Sequence, residues 1–465
     1  MTANTGKRDS AFLDYYRCAP EHAALGTLPG VSQDRGYFRF GDAVAYGHFA
    51  GGRPAAHATD PLDDVSASAS VADGRPALPF DLSEVVTNLR QERYPRNGYT
   101  ILQKTTSGEP AQRLYYTLRP FMSIGVRKHL QKVRLSGWDR IPFPRWPVDT
   151  TVETLMDSTM ALAVKAHGNS PIPFIWFWPD GASACAMMTH DVEGDVGLAF
   201  CDELMEIDDA HDIKSAFQLI PQGHETIWRE TAARLRNRGF EVNLHDLNHD
   251  GQLFADKEEF LQRAKRINEY ASDFECKGFR SAVMYREQDW YDAFEFSYDM
   301  SVPNAAHLEP QRGGCCTIMP YFIGDILELP LTTAQDYTLF YILNDYSIAL
   351  WKKQIDLVTR RHGLISMITH PDYVVGRRER DVYVDLLRHL LELRSALWMA
   401  LPGEINRWWR NRREMTLVRA GDDWRVEGPD AHRARVAYAA VSDGRLVYTI
   451  SEPATQPDAH EHLHT

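Results

Sequence analysis

Residues 184–193, Ala-Cys-Ala-Met-Met-Thr-His-Asp-Val-Glu, combine a run of apolar side chains with an acidic end. Strands of a parallel sheet that are buried on both faces show unbroken apolar runs of this kind, so the stretch predicts a buried parallel strand. In α/β proteins, catalytic groups lie just beyond the carboxyl ends of such strands. Asp191 and Glu193 are two residues apart, and in an extended chain their side chains project to the same side. Two carboxylates directed into one space repel each other unless a cation or a shared proton lies between them.

The sequence around this stretch predicts an alternation of strands and helices. The predicted strands are 183–190, 213–220, 240–245, 278–283, 295–299, 325–331 and 363–370. The predicted helices are 198–211, 224–238, 256–273 and 337–361, with a further long helix at about 379–399. Strands that alternate with helices form parallel sheets with right-handed crossovers. Seven strands over about 190 residues predict an α/β fold of the distorted (β/α)7 barrel type, with a doubly wound open sheet as the competing architecture.

Four segments of the chain differ in pattern and predict its domain organisation. A length of 465 residues exceeds what one core usually supports, so more than one domain is expected. Residues 1–150 predict an N-terminal α+β extension that ends in the proline-rich connector 141–147. The barrel with its C-terminal helices is assigned to 151–413, a small C-terminal antiparallel β domain to 414–450, and a disordered tail to 451–465.

Composition and charge argue against several classes of protein. A net charge of -13 argues against a general nucleic-acid binder, because phosphate contacts need a basic surface. No apolar run approaches the roughly 18–20 residues of a membrane span, and the N-terminal residues lack the apolar core of a signal peptide. Six scattered cysteines without a CxxC pair favour a reducing cytoplasm over a disulfide framework. The basic segment 113–140 predicts a solvated helix, with peripheral contact to an anionic membrane as the alternative.

The strongest local signal for chemistry is the segment 243–251, Asn-Leu-His-Asp-Leu-Asn-His-Asp-Gly. His245 ends a predicted strand and His249 lies four residues later, so one turn of helix would place both imidazoles on one face. Two imidazoles with one carboxylate form a three-ligand site whose fourth position stays open for water, as catalytic zinc sites require. His370 ends another predicted strand, so ionisable groups gather at three strand ends. The alternative is that each histidine caps its strand through ordinary hydrogen bonds.

This set of motifs resembles the polysaccharide deacetylase family, also called the NodB-homology domain or carbohydrate esterase family 4. The resemblance covers about residues 180–372 and follows the family in order and spacing: an acidic motif, HxxxH, an arginine motif, an aspartate motif and a late histidine. It implies a distorted (β/α)7 barrel that binds one divalent metal, zinc or, alternatively, cobalt, manganese or nickel. It also implies that the metal activates a water molecule for attack on an N-acetyl carbonyl.

The resemblance implies a set of metal ligands. His245 and His249 match the two histidines that bind the metal in the family. The family's first motif usually carries two adjacent aspartates, whereas here Val192 stands at the second position and the next acid is Glu193. We therefore assign Glu193 to the metal beside the two histidines.

The resemblance also implies four catalytic roles. Asp191 matches the catalytic base, and Arg280 matches the arginine that orients the base. Asp299 matches the aspartate that partners the late histidine, and His370 matches that histidine, the general acid. Asp250 replaces the proline that usually follows HxxxH, which leaves the substrate class open.

The predicted function is a metal-dependent hydrolase that removes an N-acyl group, most often acetyl, from an amino sugar or an amino-sugar-containing intermediate. The chemistry agrees with the residues, because a metal polarises an amide carbonyl, a carboxylate takes a proton from water, and histidine protonates the leaving amine. We expect a small-molecule or carrier-linked substrate, no nucleic-acid partner, and a cytoplasmic location or one at the inner membrane face. The alternatives are a hydrolase of a non-sugar linear amide and a catalytically silent, saccharide-binding member of the family.

Overall fold

A computed structural model describes residues 10–95, 135–223, 225–421 and 423–451 of the chain. Its strands, numbered in chain order, are β1 (Gly26–Thr27), β2 (Gly36–Phe40), β3 (Ala43–Gly47), β4 (Ser70–Ala72), β5 (Arg75–Leu78), β6 (Ile172–Ile175), β7 (Ala184–Val192), β8 (Ala216–Leu219), β9 (Glu241–His245), β10 (Gly278–Arg280), β11 (Tyr298–Asp299), β12 (Tyr321–Ile323), β13 (Ile326–Glu328), β14 (Leu364–Thr369), β15 (Leu397–Met399), β16 (Thr416–Ala420), β17 (Asp423–Glu427), β18 (Val436–Ser442) and β19 (Arg445–Ile450). Its α-helices are α1 (Ser10–Tyr16), α2 (Leu82–Arg90), α3 (Thr151–Ala166), α4 (Asp195–Ala210), α5 (Glu225–Asn237), α6 (Lys257–Asp273), α7 (Ala349–Thr359), α8 (Pro371–Val374), α9 (Arg377–Glu392) and α10 (Pro402–Glu414).

The largest sheet has the strand order β12-β13-β11-β10-β9-β8-β7-β14, and β15 pairs with the first residues of β7. Every neighbouring pair is parallel except β12 with β13. All residues of β7 are buried, as its apolar run predicts for a strand covered on both faces. From β7 to β13 the order follows the chain, and β14 returns to the side of β7. Because β14 lies beside β7 and the segment after β13 in turn bonds to β14, the predicted distorted (β/α)7 barrel is confirmed over the doubly wound sheet.

Side chains that follow β13 connect this end of the sheet to β14. Thr332 Oγ1 donates a hydrogen bond to the carbonyl oxygen of Leu364 over 2.7 Å and accepts one from the backbone N–H of Ser366 over 3.0 Å. Thr333 Oγ1 donates to the carbonyl oxygen of Ser366 over 2.7 Å. Hydroxyl groups therefore take part of the role of a main-chain ladder here, and the chain after β13 runs beside β14.

Two predicted helices differ in the structure. The helix predicted at 379–399 ends at Glu392, and the apolar residues that follow form β15. Since β8 pairs only with Thr189–Val192, the earlier residues of β7 are open to β15, and this pairing outweighs helix propensity. The helix predicted at 337–361 is divided into a π-helical turn, Thr338–Ile342, and the separate helix α7.

The parts before and after the barrel contain the predicted kinds of structure. The N-terminal part has helices α1 and α2, a hairpin of β2 with β3, and a sheet of order β1-β5-β4. In the C-terminal part β16 pairs with β17, while β18 pairs with β19 and also with β6, which precedes the barrel. The boundaries of the four predicted segments stay a prediction.

Parts of two predicted segments lie outside the described residues. These are 113–134 of the basic segment and 452–465 of the predicted tail. Within the described ranges, no helix is long and apolar enough to cross a membrane.

Candidate metal and catalytic centre

Five of the predicted site residues lie at the carboxyl ends of four parallel strands of the barrel. They are Asp191 and Glu193 at β7, His245 at β9, Arg280 at β10 and His370 at β14. Parallel strands end at the same edge of a barrel, so these side chains share one space although they are far apart in sequence. All except Glu193 are buried.

The carboxylate of Glu193 is surrounded by three imidazoles. Its Oε1 lies 2.9 Å from Nε2 of His249, 3.5 Å from Nε2 of His370 and 3.7 Å from Nε2 of His245. Burial raises the pKa of Glu193, but the nearby imidazoles, above all that of His249, hold it well below its usual range. In the part of the chain that the structure describes, one group of metal-ligating side chains has all its ligand atoms within 4.8 Å of one another: Glu193, His245 and His249. The structure therefore brings together the three residues predicted as ligands.

The hydrogen bonding of His245 fits a metal ligand. Its Nδ1 donates to the carbonyl oxygen of Arg280 over 3.1 Å, which leaves Nε2 as the ring nitrogen that can bind a cation. That Nε2 is buried, has no hydrogen-bond partner and faces the carboxylates of Glu193 and Asp191. A buried acceptor without a donor is unfavourable, and a cation at this point would satisfy it. A backbone carbonyl that fixes the tautomer of a ligating histidine is also a usual feature of metal sites.

The HxxxH segment does not form the helical turn that the sequence predicts. Asp246 and His249 both have a φ of 57°, so the backbone turns through left-handed positions after β9. The carboxylate of Asp246 holds this turn, because it accepts hydrogen bonds from the backbone N–H of Leu247 over 2.7 Å and of Ala282 over 3.2 Å. The rings of His245 and His249 nevertheless lie with their centroids 4.9 Å apart. A loop and not a helical turn brings the two imidazoles together, and the four-residue spacing alone could not predict this loop.

Asp191 is held as a buried carboxylate by Arg280. Nη1 of Arg280 donates to Oδ1 of Asp191 over 2.6 Å and to Oγ1 of Thr189 over 2.9 Å, and its Nε donates to the carbonyl oxygen of Met300 over 3.1 Å. Burial raises the pKa of Asp191, but the charge of Arg280 and the nearby imidazoles bring it below its ordinary value. The other oxygen, Oδ2, lies 3.9 Å from Nε2 of His245 and therefore faces the ligand group.

The partner of His370 is Asp336, and the predicted pairing of His370 with Asp299 is wrong. Nδ1 of His370 donates to Oδ1 of Asp336 over 2.6 Å, and the backbone N–H of His370 donates to Oδ2 over 2.7 Å. Burial lowers the pKa of His370, but the charge of Asp336 raises it well above the ordinary value for histidine. This shift favours the protonated form of the imidazole, which lies beside the ligand group.

Asp299 has different partners. Its carboxylate accepts hydrogen bonds from Ser301 Oγ over 2.7 Å, from the backbone N–H of Ser301 over 3.1 Å and from the hydroxyl of Tyr291 over 3.1 Å. Burial raises the pKa of the neighbouring Glu328 well above its usual range, and the charge of Asp299 raises it further. Asp299 lies in β11, whereas the chain after β13 runs beside β14 and brings Asp336 to His370. Asp336 could have been found from one signal, because it is an acid shortly after a predicted strand, 325–331.

Proteins similar to this chain are found among solved structures. No family model and no curated protein matches the chain. Among solved structures, the chain is similar to a protein from Mycobacterium smegmatis named as a polysaccharide deacetylase, at 18% identity and a TM-score of 0.42, over 54% of this chain and 98% of that one. A protein from Pseudomonas aeruginosa PAO1, also named as a polysaccharide deacetylase, shows 11% identity and a TM-score of 0.41, over 50% and 93%. The allantoinase PuuE shows 14% identity and a TM-score of 0.38, over 50% and 92%.

These similarities cover about half of the chain. Each identity is below 25% and each TM-score is below 0.5. The roles of the site residues are therefore argued from the geometry of the centre itself.

Proposed function

We propose that this protein is a metal-dependent hydrolase that removes an N-acyl group, most often acetyl, from an amino sugar or an amino-sugar-containing intermediate. One observation carries the proposal: a metal-ligating group lies between a buried carboxylate paired with Arg280 and a buried imidazole paired with Asp336. The group is Glu193, His245 and His249, and the flanking residues are Asp191 and His370. A base and an acid whose environments push their pKa values in opposite directions are what amide hydrolysis requires.

Glu193, His245 and His249 would hold a divalent ion, which would supply Lewis acidity to polarise an amide carbonyl and lower the pKa of a water molecule. Two imidazoles and one carboxylate suit zinc, with cobalt, manganese and nickel as alternatives.

The proton transfers are assigned to two side chains. Asp191, which Arg280 keeps ionised, takes a proton from the attacking water. The water oxygen bonds to the acyl carbon and the carbon–nitrogen bond breaks. His370, kept protonated by Asp336, donates its proton to the leaving nitrogen. The products are a carboxylic acid and a free amine.

The substrate class and the cellular location complete the proposal. An amino-sugar substrate, small or carrier-linked, rests on the resemblance of the motifs, and a non-sugar linear amide is the alternative. We propose a cytoplasmic location, and peripheral membrane contact through 113–140 is the alternative for that segment. All six cysteines are buried free thiols in the structure, which agrees with a reducing compartment.

The test compares two variants that each remove one negative charge from the end of β7. Purified wild-type protein should carry about one divalent ion per chain by elemental analysis. Asp191→Asn should keep its metal and its fold and lose nearly all activity, because it removes the base. Glu193→Gln should bind metal more weakly, with activity partly recovered at high metal concentration.

Each alternative outcome has a definite meaning. If Asp191→Asn loses the metal while Glu193→Gln keeps it, the two roles are exchanged. A wild-type protein without metal, whose activity a strong chelator leaves unchanged, contradicts the proposed function.

A further inference from the structure

The turn that carries Glu193 lacks a capping side chain of its own. Helix α4 begins at Asp195, directly after this turn, and the residue at its N-cap is Gly194. The first N–H groups of a helix have no acceptor within the helix, and an N-cap side chain usually supplies one. Glycine has no side chain to do so, and in this structure the acceptor comes from elsewhere in the fold.

The acceptor comes from the loop that follows β14. Oδ1 of Asp372 accepts a hydrogen bond from the backbone N–H of Gly197 over 3.0 Å, and Oδ2 accepts one from the backbone N–H of Glu193 over 3.4 Å. Asp372 stands two residues after His370, in the short helix α8. One carboxylate therefore links the turn that bears a predicted metal ligand to the turn that bears the predicted acid.

Two glycines allow this close approach. A Cβ at Gly197 would lie 2.1 Å from Oδ2 of Asp372, and a Cβ at Gly194 would lie 3.0 Å from Oδ1. Real side-chain carbons do not come as near as 2.1 Å to a carboxylate oxygen, so a larger residue at 197 would force Asp372 or the turn to move. Glycine at 194 and 197 therefore leaves the space in which the carboxylate of Asp372 lies against the backbone.

We propose that Asp372 is a positioning residue that sets the location of Glu193 relative to His245, His249 and His370. The inference rests on the proposed metal-dependent function. Oε1 of Glu193 lies within 2.9–3.7 Å of the three imidazoles, so a small displacement of its backbone changes every one of these distances. Outer residues that orient a ligand in this way typically change metal affinity about 10- to 100-fold.

The experiment measures zinc affinity of the metal-free full-length protein by competition with a chromogenic chelator. Asp372→Ala should weaken zinc binding about 10- to 100-fold, and activity should return towards the wild-type value at saturating zinc. Gly197→Ala should weaken binding in the same way, because its new Cβ displaces the same carboxylate. The double variant Gly197→Ala/Asp372→Ala should bind zinc no more weakly than the worse single variant, since both changes act through one contact.

Controls separate positioning from loss of fold. Asp195→Ala removes an exposed carboxylate from the same helix end and should leave zinc affinity unchanged. Asp372→Asn keeps the shape and one acceptor oxygen, and its affinity should lie between those of the wild type and Asp372→Ala. If Asp372→Ala does not fold, as judged by circular dichroism, Asp372→Asn decides the question.

The inference and the proposed function fail in different ways. A wild-type protein that binds no zinc contradicts the proposed function. Wild-type zinc binding together with unchanged affinity in folded Asp372→Ala, or in Asp372→Asn where the alanine variant does not fold, overturns the positioning role alone. Strictly additive losses in the double variant also overturn it, because they would mean that the two residues act independently.

Discussion

Asp336→Asn tests the charge that the structure places behind His370. The carboxylate of Asp336 accepts two hydrogen bonds, from the Nδ1–H of His370 over 2.6 Å and from its backbone N–H over 2.7 Å. Asparagine has nearly the same shape and one carbonyl oxygen, so it retains one of these acceptors. The variant therefore loses one charge-assisted hydrogen bond and the negative charge, with little change in packing.

The expected magnitude follows from that single lost bond. A hydrogen bond to a charged group contributes about 1.5–3 kcal/mol. Because about 1.4 kcal/mol corresponds to a tenfold change in rate, kcat should fall about 10- to 150-fold. The pKa of His370 should fall, since the charge that raises it is gone, and activity should be lost at lower pH on the basic side of the pH profile.

The same pair predicts how stability depends on pH. The pKa of His370 is raised in the folded protein, so protonation stabilises the fold fully below the ordinary histidine pKa of about 6.5. This contribution is lost as the pH rises through the higher folded-state pKa. The stability difference between wild type and Asp336→Asn should therefore be larger near pH 6 than above that pKa.

The assay is release of acetate from an N-acetylated amino sugar as a function of pH, combined with an NMR titration of the His370 imidazole. Asp299→Asn is the matched control, because it changes the acid that the motif order predicts without touching His370. Asp299→Asn should leave the pH dependence of acetate release unchanged. An unchanged profile in Asp336→Asn, or the same shift in Asp299→Asn, would refute the assignment of Asp336.

Three further predictions concern the acid, the N-terminal part and the basic segment. His370→Ala should keep its metal and lower kcat by roughly 10²–10⁴, as loss of a general acid does, and loss of the metal instead would mean that His370 is a ligand. In the wild type, Arg286 is buried and paired with Glu92. Glu92→Ala leaves Arg286 without its counter-charge and should lower the free energy of unfolding in urea by about 3–5 kcal/mol. A loss below about 1 kcal/mol would contradict this expectation. If 113–140 binds membrane, the full-length protein should float with anionic liposomes and not with neutral ones at low salt, and it should float less at moderate salt. Failure to float at either salt concentration favours a solvated helix.

The fold could be predicted because its strongest signals are long and local. The apolar run of β7 and the alternation of strands with helices fix a parallel sheet, and the acidic end of β7 marks the functional edge. The element β15 could not be predicted, because Leu397–Met399 suits the end of a helix equally well. Its conformation depends on the part of β7 that β8 leaves unpaired, and that is known only when the sheet is assembled.

In the candidate centre, residues at strand ends could be predicted, whereas residues on the connections between strands could not. Residues directly at strand ends, such as Asp191, His245 and His370, could be placed together because parallel strands end at one edge. Residues on longer connections could not, and the turn after β9 shows why. Asp246 and His249 are left-handed there, and the carboxylate of Asp246 accepts a hydrogen bond from Ala282, which lies on the loop after another strand.

Asp336 shows most clearly how tertiary structure decides a role that motif order does not. The order of motifs favours Asp299, an acid at the end of β11, as the partner of the late histidine. After β13, however, the side chains of Thr332 and Thr333 bind the main chain of β14, which fixes the path of the chain beside that strand. Three residues further on, this path brings Asp336 to the backbone and the ring of His370. The two threonines that bridge the sheet to β14 therefore also place the charge that keeps His370 protonated, so closure of the barrel and the acid chemistry depend on the same short segment.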